Sequence, residues 1–109
     1  MAKRVVWTDA AAADLEAIVD FVLERDGVEF AQRLHDSIMP AVSGLADSPE
    51  RCRVVPELRA IGVSVYRELV VASHRVPFRV YGRDVVIMGV FDSRRDLEEL
   101  LIRRLTERA

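Results

Sequence analysis

The side chains best suited to proton transfer lie in the second half of the chain, at Glu57, Tyr66, His74 and Tyr81. A positioned carboxylate, histidine or tyrosine can act as a general acid or base, and a nearby cation can hold an anionic substrate beside it. Such cations occur in the same stretch, at Arg67, Arg75 and Arg79. Solvent exposure is the commoner explanation for His74, because this residue falls in a predicted hairpin loop.

Anion binding is indicated by Arg94 and Arg95, which follow the N-cap candidates Asp92 and Ser93 and so open a predicted helix. Cations in the first turn oppose the helix dipole, at a cost of roughly 0.3 to 1 kcal/mol per charge unless an anion offsets it. Asp92 and Asp96 can supply that anion as local ion pairs. The alternative is a phosphate or an acidic partner, bound by the guanidinium groups and the free N–H groups of the helix start.

The composition excludes several classes of protein. The 109 residues are 50% hydrophobic and 31% charged, which predicts one folded domain over residues 1–109. The longest apolar run, Val85–Phe91, is far shorter than the roughly 20 residues that span a bilayer. No export signal is visible, so we expect a cytoplasmic protein. Cys52 is the only cysteine, which excludes an internal disulfide and a cysteine-built zinc site, and we expect no cofactor.

Charge is divided unevenly along the chain. The net charge of −2 argues against a protein that binds nucleic acid directly through bulk electrostatics. Residues 1–50 contain 4 basic and 10 acidic residues, whereas residues 51–109 contain 12 basic and 8 acidic residues. We therefore expect the second half to make the functional charged contacts.

Hydrophobic periodicity predicts a strand followed by a helical hairpin. Residues 4–7 are apolar and β-prone, and Thr8-Asp9 is an N-cap candidate for a helix that ends near Asp26-Gly27. A second helix from about Val28 to Leu45 presents one apolar stripe. Because proline removes a backbone donor and clashes with the preceding turn, Pro40 predicts a kink or a break near residues 36–40.

After residue 53 the hydrophobic period changes towards two, which predicts a sheet. Three antiparallel strands in meander order are expected at Val63–Val71, Val76–Tyr81 and Val85–Phe91, with residues 72–75 as a hairpin loop. The last strand is apolar on both faces and should be central. Pro77 predicts that its strand is bulged or turns that position away from a partner.

A final helix is predicted from Arg94 to about Arg108, and its partly apolar stripe includes Leu97, Leu100, Leu101, Arg104 and Leu105. The expected fold class is therefore α+β. An N-terminal strand and a helical hairpin pack on a mostly antiparallel sheet, with a helix at the C-terminus.

This order of elements resembles the RelE/ParE toxin family of type II toxin–antitoxin systems over almost the whole chain. The resemblance is carried by short motifs in a shared order, at Val6–Ala10 with Asp14-Leu15, Val55–Leu58, Tyr66–Leu69, Phe78–Tyr81 and Arg94–Asp96. It implies a toxin that forms a hetero-oligomer with a cognate antitoxin, which lays a helix and an extended segment across an exposed apolar surface.

The candidates for that antitoxin-binding surface are Phe21, Phe30 and Leu100. The alternative is that these side chains complete the core, because single exposed apolar residues are common. The resemblance requires the first reading, in which apolar surface stays open for another polypeptide.

The two branches of the family imply different activities. A ribosome-dependent mRNA endoribonuclease of RelE type would depend on Arg67, Arg79 and Tyr81. However, the sequence has Phe91-Asp92-Ser93 where nuclease relatives place a histidine or tyrosine, and it lacks their lysine-rich strand.

The ParE-type branch fits better and implies inhibition of DNA gyrase by protein–protein contact, without chemistry of its own. The candidate target-binding residues are Arg94, Arg95, Leu101 and Leu105. A regulatory or structural relative without toxicity is the third alternative.

Overall fold

Strand β1, Arg4–Trp7, leads directly into helix α1, Asp9–Asp26, through the N-cap residue Thr8. In the computed structural model, which describes residues 2–106, the Thr8 hydroxyl accepts a hydrogen bond from the Ala11 N–H at 3.1 Å. The same hydroxyl donates to the Ile87 carbonyl at 2.8 Å, so the cap also fixes the start of α1 against the sheet. The predicted cap is confirmed.

Helix α2, Val28–Ser43, follows Gly27, whose φ of 95° suits glycine. It continues through Pro40, so the predicted break is wrong. Proline is tolerated here because it lies in the last turn and deprives only the Asp36 carbonyl of its helical partner. Pro40 and Asp36 are both exposed, and water can satisfy that carbonyl. The helix ends two residues before the predicted Leu45, where a short 3₁₀ helix, Gly44–Ala46, begins.

The described residues form a sheet of six strands, in which β1 joins five strands from the second half of the chain. Its strands after β1 are β2 Arg53–Val54, β3 Tyr66–Val71, β4 His74–Tyr81, β5 Asp84–Ile87 and β6 Phe91–Asp92. The order is β1-β5-β4-β3-β2, with β6 paired to β4. Among the strands of residues 2–106, only β1 and β5 pair in parallel, so the predicted α+β fold with a mostly antiparallel sheet is confirmed.

The β3–β4 hairpin is tighter than predicted. Its turn is Ala72-Ser73 alone, with φ of 50° and 63°, the left-handed conformation of a two-residue hairpin turn. His74 and Arg75, predicted to lie in the loop, are strand residues. The segment predicted as one strand, Val85–Phe91, is divided into β5 and β6, and β4 rather than β5 is the central strand.

Pro77 lies within the continuous strand β4. Its carbonyl accepts a hydrogen bond from the Met88 N–H at 2.8 Å, one residue beyond the end of β5. The N and O atoms of a strand residue point to the same edge in an antiparallel pair. The missing N–H of Pro77 therefore faces a position where β5 has already ended, and the β3–β4 ladder is intact.

Two further helices complete the described chain, α3 at Pro56–Arg59 and α4 at Glu98–Thr106. The predicted end of the last helix, near Arg108, lies outside the described residues. Within residues 2–106, no helix combines the length and hydrophobicity that crossing a membrane requires.

The sheet has a core on each face. On one, the hairpin face, α1 and α2 pack against β4 and β5, and the buried residues include Leu15, Ile38, Val76, Phe78 and Ile87. On the other, the outer face, α3 and α4 cover part of the sheet around Val55, Leu58, Tyr66, Phe91, Leu97 and Leu101. Because side chains alternate along a strand, the pairing register assigns each remaining sheet residue to one of these faces.

Candidate partner-binding groove

A groove of about 530 Å³ runs between α1, the β4–β6 edge and the chain around α4. Its apolar lining residues are Ile18, Phe21, Val22, Val90, Phe91 and Leu100. Its polar lining residues are Arg25, His74, Arg95 and Arg104, with carboxylates at Asp14 and Asp92. We call it the α1–α4 groove. A lining that combines apolar and mainly basic side chains suits a segment that is apolar on one side and acidic on the other.

The base of the α1–α4 groove is fixed by an ion pair between Asp14 of α1 and Arg104 of α4. Arg104 Nη2 lies 2.9 Å from Asp14 Oδ1, and Arg104 Nη1 donates to the Met88 carbonyl at 2.9 Å. The guanidinium group lies 5.0 Å from the centre of the Phe91 ring. The other Asp14 oxygen accepts from the Val90 N–H at 3.0 Å. This pair therefore joins both helices to the β5–β6 connection.

Sequence reasoning missed this pair, although it left one signal. Arg104 falls on the apolar stripe of the last predicted helix, where a charged side chain requires a partner. The identity of that partner, 90 residues away in sequence, follows only from the fold.

A second ion-pair cluster lies under the segment that enters α4. Arg75 is only 6% exposed, and its Nε donates to Glu68 Oε1 at 2.7 Å. Both of its terminal nitrogens donate to the Glu57 carboxylate at 2.6 Å. The second oxygen of Glu68 accepts from Arg53 Nε at 2.6 Å. We call these four residues the Arg75 cluster.

The Arg75 cluster also binds the backbone ahead of α4. Arg75 Nη1 donates to the Arg95 carbonyl at 3.0 Å, and Glu57 Oε2 accepts from the Leu97 N–H at 2.9 Å. One wall of the α1–α4 groove is therefore held in place from the outer face of the sheet. Glu57, a proton-transfer candidate in the sequence, instead acts as a structural anion in this geometry.

The bonding of Glu57 predicts a pH-dependent stability. Hydrogen bonds from Arg75 lower the pKa of Glu57 from 4.5 to about 2. A carboxyl group whose pKa is lower in the folded chain than in the unfolded chain stabilises the fold at high pH, and this contribution is lost as the pH falls between the two values. We expect urea denaturation to show a free energy of unfolding that decreases through this range. The Glu57 share of the decrease should disappear in Glu57→Gln.

A matched control is Glu99→Gln. The Glu99 carboxylate is exposed and pairs with Arg103 on the surface of α4, at 3.1 Å. Its replacement should leave the acid-range slope of stability unchanged. If Glu57→Gln retains the full wild-type slope, this assignment of the acid sensitivity is wrong.

The two predicted target-binding arginines do not open a helix. Because α4 begins at Glu98, Arg94 and Arg95 lie in the preceding turn and do not oppose the helix dipole as predicted. Arg94 pairs with Asp92 at 3.1 Å on the surface, the local pairing that the sequence left open, and lowers the pKa of Asp92 to about 2. The Arg95 side chain is exposed and lines the α1–α4 groove.

The other predicted contact residues are distributed unevenly. Leu101 is 1% exposed in the core beneath α4, so little of its side chain is accessible to a target. Leu105 is partly exposed on the same helix. Phe21 and Leu100 both line the α1–α4 groove. Phe30 is also exposed, but it does not line this groove.

Of the residues that a nuclease would require, Arg79 and Tyr81 lie together, whereas Arg67 lies apart from them. Arg67 lies opposite Phe78 in the β3–β4 register, on the hairpin face of the sheet. Arg79 lies opposite Tyr66, on the outer face, and Tyr81 follows two residues later on that face. The strand alternation thus separates Arg67 from the other two candidates.

Two further acid–base candidates, His74 and Glu57, also lie away from Arg79. His74 lies at the far end of β4, where its Nδ1 is 2.7 Å from the Ala72 carbonyl oxygen, and it lines the α1–α4 groove. Glu57 is held by Arg75. The geometry therefore brings neither His74 nor Glu57 to Arg79.

A helical hairpin on one face of a mostly antiparallel sheet, with a groove beside the last helix, defines the RelE/ParE-like class of α+β fold. Residues 5–97 match the model of the family described as ParE toxin of type II toxin-antitoxin system, parDE. The chain is 30% identical to Toxin ParE1 of Mycobacterium tuberculosis strain CDC 1551 / Oshkosh over 102 residues, which cover 93% of this chain and 100% of that protein. The same values hold for Toxin ParE1 of strain ATCC 25618 / H37Rv.

A solved structure described as the chromosomal ParDE TA system from P. aeruginosa is similar, with a TM-score of 0.69 and 28% identity. The match covers 83% of this chain and 95% of that chain. The chain therefore belongs to the ParE toxin family of type II toxin–antitoxin systems. Membership of a two-component system implies an antitoxin partner, and the resemblance seen in the sequence is confirmed.

Proposed function

We propose that residues 1–109 act as a single toxin domain that inhibits DNA gyrase by protein–protein contact, and that a cognate antitoxin neutralises it by occupying the α1–α4 groove. Such a toxin acts in the cytoplasm, where gyrase works on DNA. The toxin and antitoxin form a hetero-oligomer, whose dissociation frees the toxin to arrest growth.

One observation supports this proposal above all. Phe21 and Leu100, expected to bind the antitoxin, line the same groove as Arg95, expected to bind the target. A polypeptide seated in this groove covers all three side chains at once. Antitoxin and target then compete for the surface, which gives neutralisation a simple steric basis.

Contact with a protein also agrees better with the charges and the geometry than catalysis on RNA. The net charge of −2 gives no general attraction for a polyanion. Of the acid–base candidates, Glu57 is held in an ion pair, and His74 lies on the opposite face of the sheet from the two tyrosines beside Arg79. An exposed arginine beside aromatic and leucine side chains is typical of residues that dominate binding energy in protein interfaces.

The proposal predicts that Arg95→Glu weakens gyrase inhibition. Purified full-length chain should inhibit supercoiling by gyrase, and the charge reversal should raise the half-inhibitory concentration at least about tenfold, because a cationic contact becomes repulsive. Arg51→Glu is the matched control, since Arg51 is exposed in the 3₁₀ helix Pro49–Arg51, outside the α1–α4 groove. The half-inhibitory concentration of Arg51→Glu should differ little from that of the wild type.

Two results would contradict the gyrase proposal. The first is unchanged supercoiling together with cleavage of ribosome-bound mRNA, which would assign the chain to the RelE-type activity. The second is normal growth on induction without an antitoxin, together with unchanged supercoiling, which would identify a non-toxic relative.

A further inference from the structure

Arg79 on the outer face of the sheet is held between two tyrosine rings. Its guanidinium carbon lies 4.5 Å from the centre of the Tyr81 ring and 5.5 Å from that of Tyr66. Its Nη1 donates a long hydrogen bond of 3.4 Å to the Tyr66 hydroxyl. Stacking on aromatic faces positions a guanidinium group without neutralising its charge.

This arrangement contrasts with the arginines of the Arg75 cluster and of the groove base. Arg75 and Arg104 are satisfied by carboxylates. Within residues 2–106, by contrast, no carboxylate forms an ion pair with Arg79. A guanidinium group has five N–H donors, and the bond to Tyr66 uses one of them. Arg79 is thus a positioned cation whose other N–H groups can donate hydrogen bonds to a ligand.

More positive charge surrounds the Tyr81 end of this surface. The basic neighbours are Lys3, whose Nζ donates to the Gly82 carbonyl at 3.1 Å, the exposed Arg83, and Arg4. Asp84, the nearby carboxylate, pairs with Arg4 at 3.1 Å. We call Lys3, Arg4, Tyr66, Arg79, Tyr81 and Arg83 the outer-face patch.

Apolar surface adjoins these charges. The register places Tyr66, Arg79, Val86 and Val6 in one row across four strands. The valines are partly exposed, and Tyr81 is 47% exposed. A ligand of the outer-face patch can therefore bury apolar groups while it places an anion on Arg79.

We propose that the outer-face patch is a second binding site, which takes an acidic polypeptide segment with a carboxylate on Arg79 and an apolar side chain against Tyr81 and Val86. The site is separate from the α1–α4 groove. His74, which lines that groove, lies five residues from Arg79 along β4. At a rise of about 3.4 Å per residue, this is a distance of about 17 Å.

The charge distribution favours a polypeptide over a nucleic acid. The basic residues are local, whereas the whole chain has a net charge of −2 and its first half is strongly acidic. A long polyanion interacts with that total field, and its affinity rests on many phosphate contacts. A short acidic segment meets only the local cations, and planar carboxylates match the fork of a guanidinium group.

A titration of the full-length chain with a fluorescein-labelled peptide of repeated Glu-Leu-Glu-Gly tests the site. Fluorescence anisotropy at low salt should show binding, and Arg79→Gln should raise the Kd at least about tenfold. Arg83→Gln removes the same charge from the same patch and should raise it only about twofold. Arg79→Lys keeps the charge but lacks the planar fork, and should also weaken binding several-fold.

The control variant Arg83→Gln separates a positioned site from general electrostatic attraction. Equal losses of peptide affinity in Arg79→Gln and Arg83→Gln would overturn the proposal, as would the absence of peptide binding by the wild type. Tighter binding of a labelled single-stranded RNA of equal charge, displacing the peptide, would assign the patch to nucleic acid instead. Should Arg79→Gln lower the Tm appreciably, the comparison rests on Arg79→Lys, and unchanged peptide affinity in that variant would also overturn the proposal.

Discussion

Arg75→Ala should lower the free energy of unfolding by about 3 to 5 kcal/mol, because removing one partner of a buried ion pair leaves the others uncompensated. Arg75 is the cation shared by Glu57 and Glu68. Glu68 is only 2% exposed, so in the absence of Arg75 its buried charge is balanced by Arg53 alone. Urea denaturation followed by circular dichroism at neutral pH measures the loss.

Arg75→Met distinguishes charge from packing, since methionine keeps most of the aliphatic stem. It should be nearly as destabilising as alanine, because Glu57 still loses its cation and Glu68 retains the bond to Arg53 alone. Adding Glu57→Gln and Glu68→Gln to Arg75→Met should then recover part of the stability, since the repulsion between the carboxylates is removed.

Arg94→Ala is the matched control for this series. Arg94 also pairs with a carboxylate, that of Asp92, but its side chain is 88% exposed. Its loss should change the free energy of unfolding by no more than about 0.5 kcal/mol. If Arg75→Ala costs no more than Arg94→Ala, the Arg75 cluster does not stabilise the fold in the way described.

The elements that sequence analysis predicted well are those set by local patterns. α1 and α2 follow from apolar residues at helical spacing and from the Thr8 cap, whose hydrogen bond to Ala11 spans three residues. The three meander strands follow from β-branched residues between turn signals. In these segments the tertiary structure agrees with the local preference, and the prediction holds.

The start of the last helix could not be predicted, because a distant contact overrides a local signal. Asp92-Ser93 has the composition of an N-cap. However, Asp92 lies in β6 and pairs with His74 of β4, and the Ser93 N–H donates to the Ser73 carbonyl. This pairing keeps the backbone extended through Asp92. The Leu97 N–H is then held by Glu57, 40 residues earlier in sequence, one residue before α4 begins.

The Arg75 cluster was missed because it depends on the hairpin register. A four-residue loop at residues 72–75 would place Arg75 outside the sheet. The two-residue turn Ala72-Ser73 instead pairs Arg75 with Val70 and places it diagonally from Glu68 on the same face. A difference of two residues in a turn therefore decides whether this arginine is a loop residue or the centre of a buried network.

Under the proposed function, Phe21→Asp should weaken antitoxin binding by about 2 to 4 kcal/mol, or roughly 30- to 1,000-fold in Kd. Phe21 is 60% exposed and lines the α1–α4 groove. Its replacement removes an aromatic contact and places a negative charge where an acidic antitoxin segment would lie. Titration calorimetry with the cognate antitoxin measures the change, and the Tm should be almost unaffected.

Phe30→Asp is the matched control, and it decides which apolar surface the antitoxin uses. Phe30 is 53% exposed on the same helical hairpin and, like Phe21, stacks with an arginine, but it lies outside the α1–α4 groove. Both phenylalanines are antitoxin candidates from the sequence, yet only Phe21 shares a groove with Leu100 and Arg95. If Phe30→Asp greatly weakens antitoxin binding and Phe21→Asp does not, the antitoxin binds at α2 instead. The steric competition with the target, on which neutralisation is proposed to depend, would then be absent.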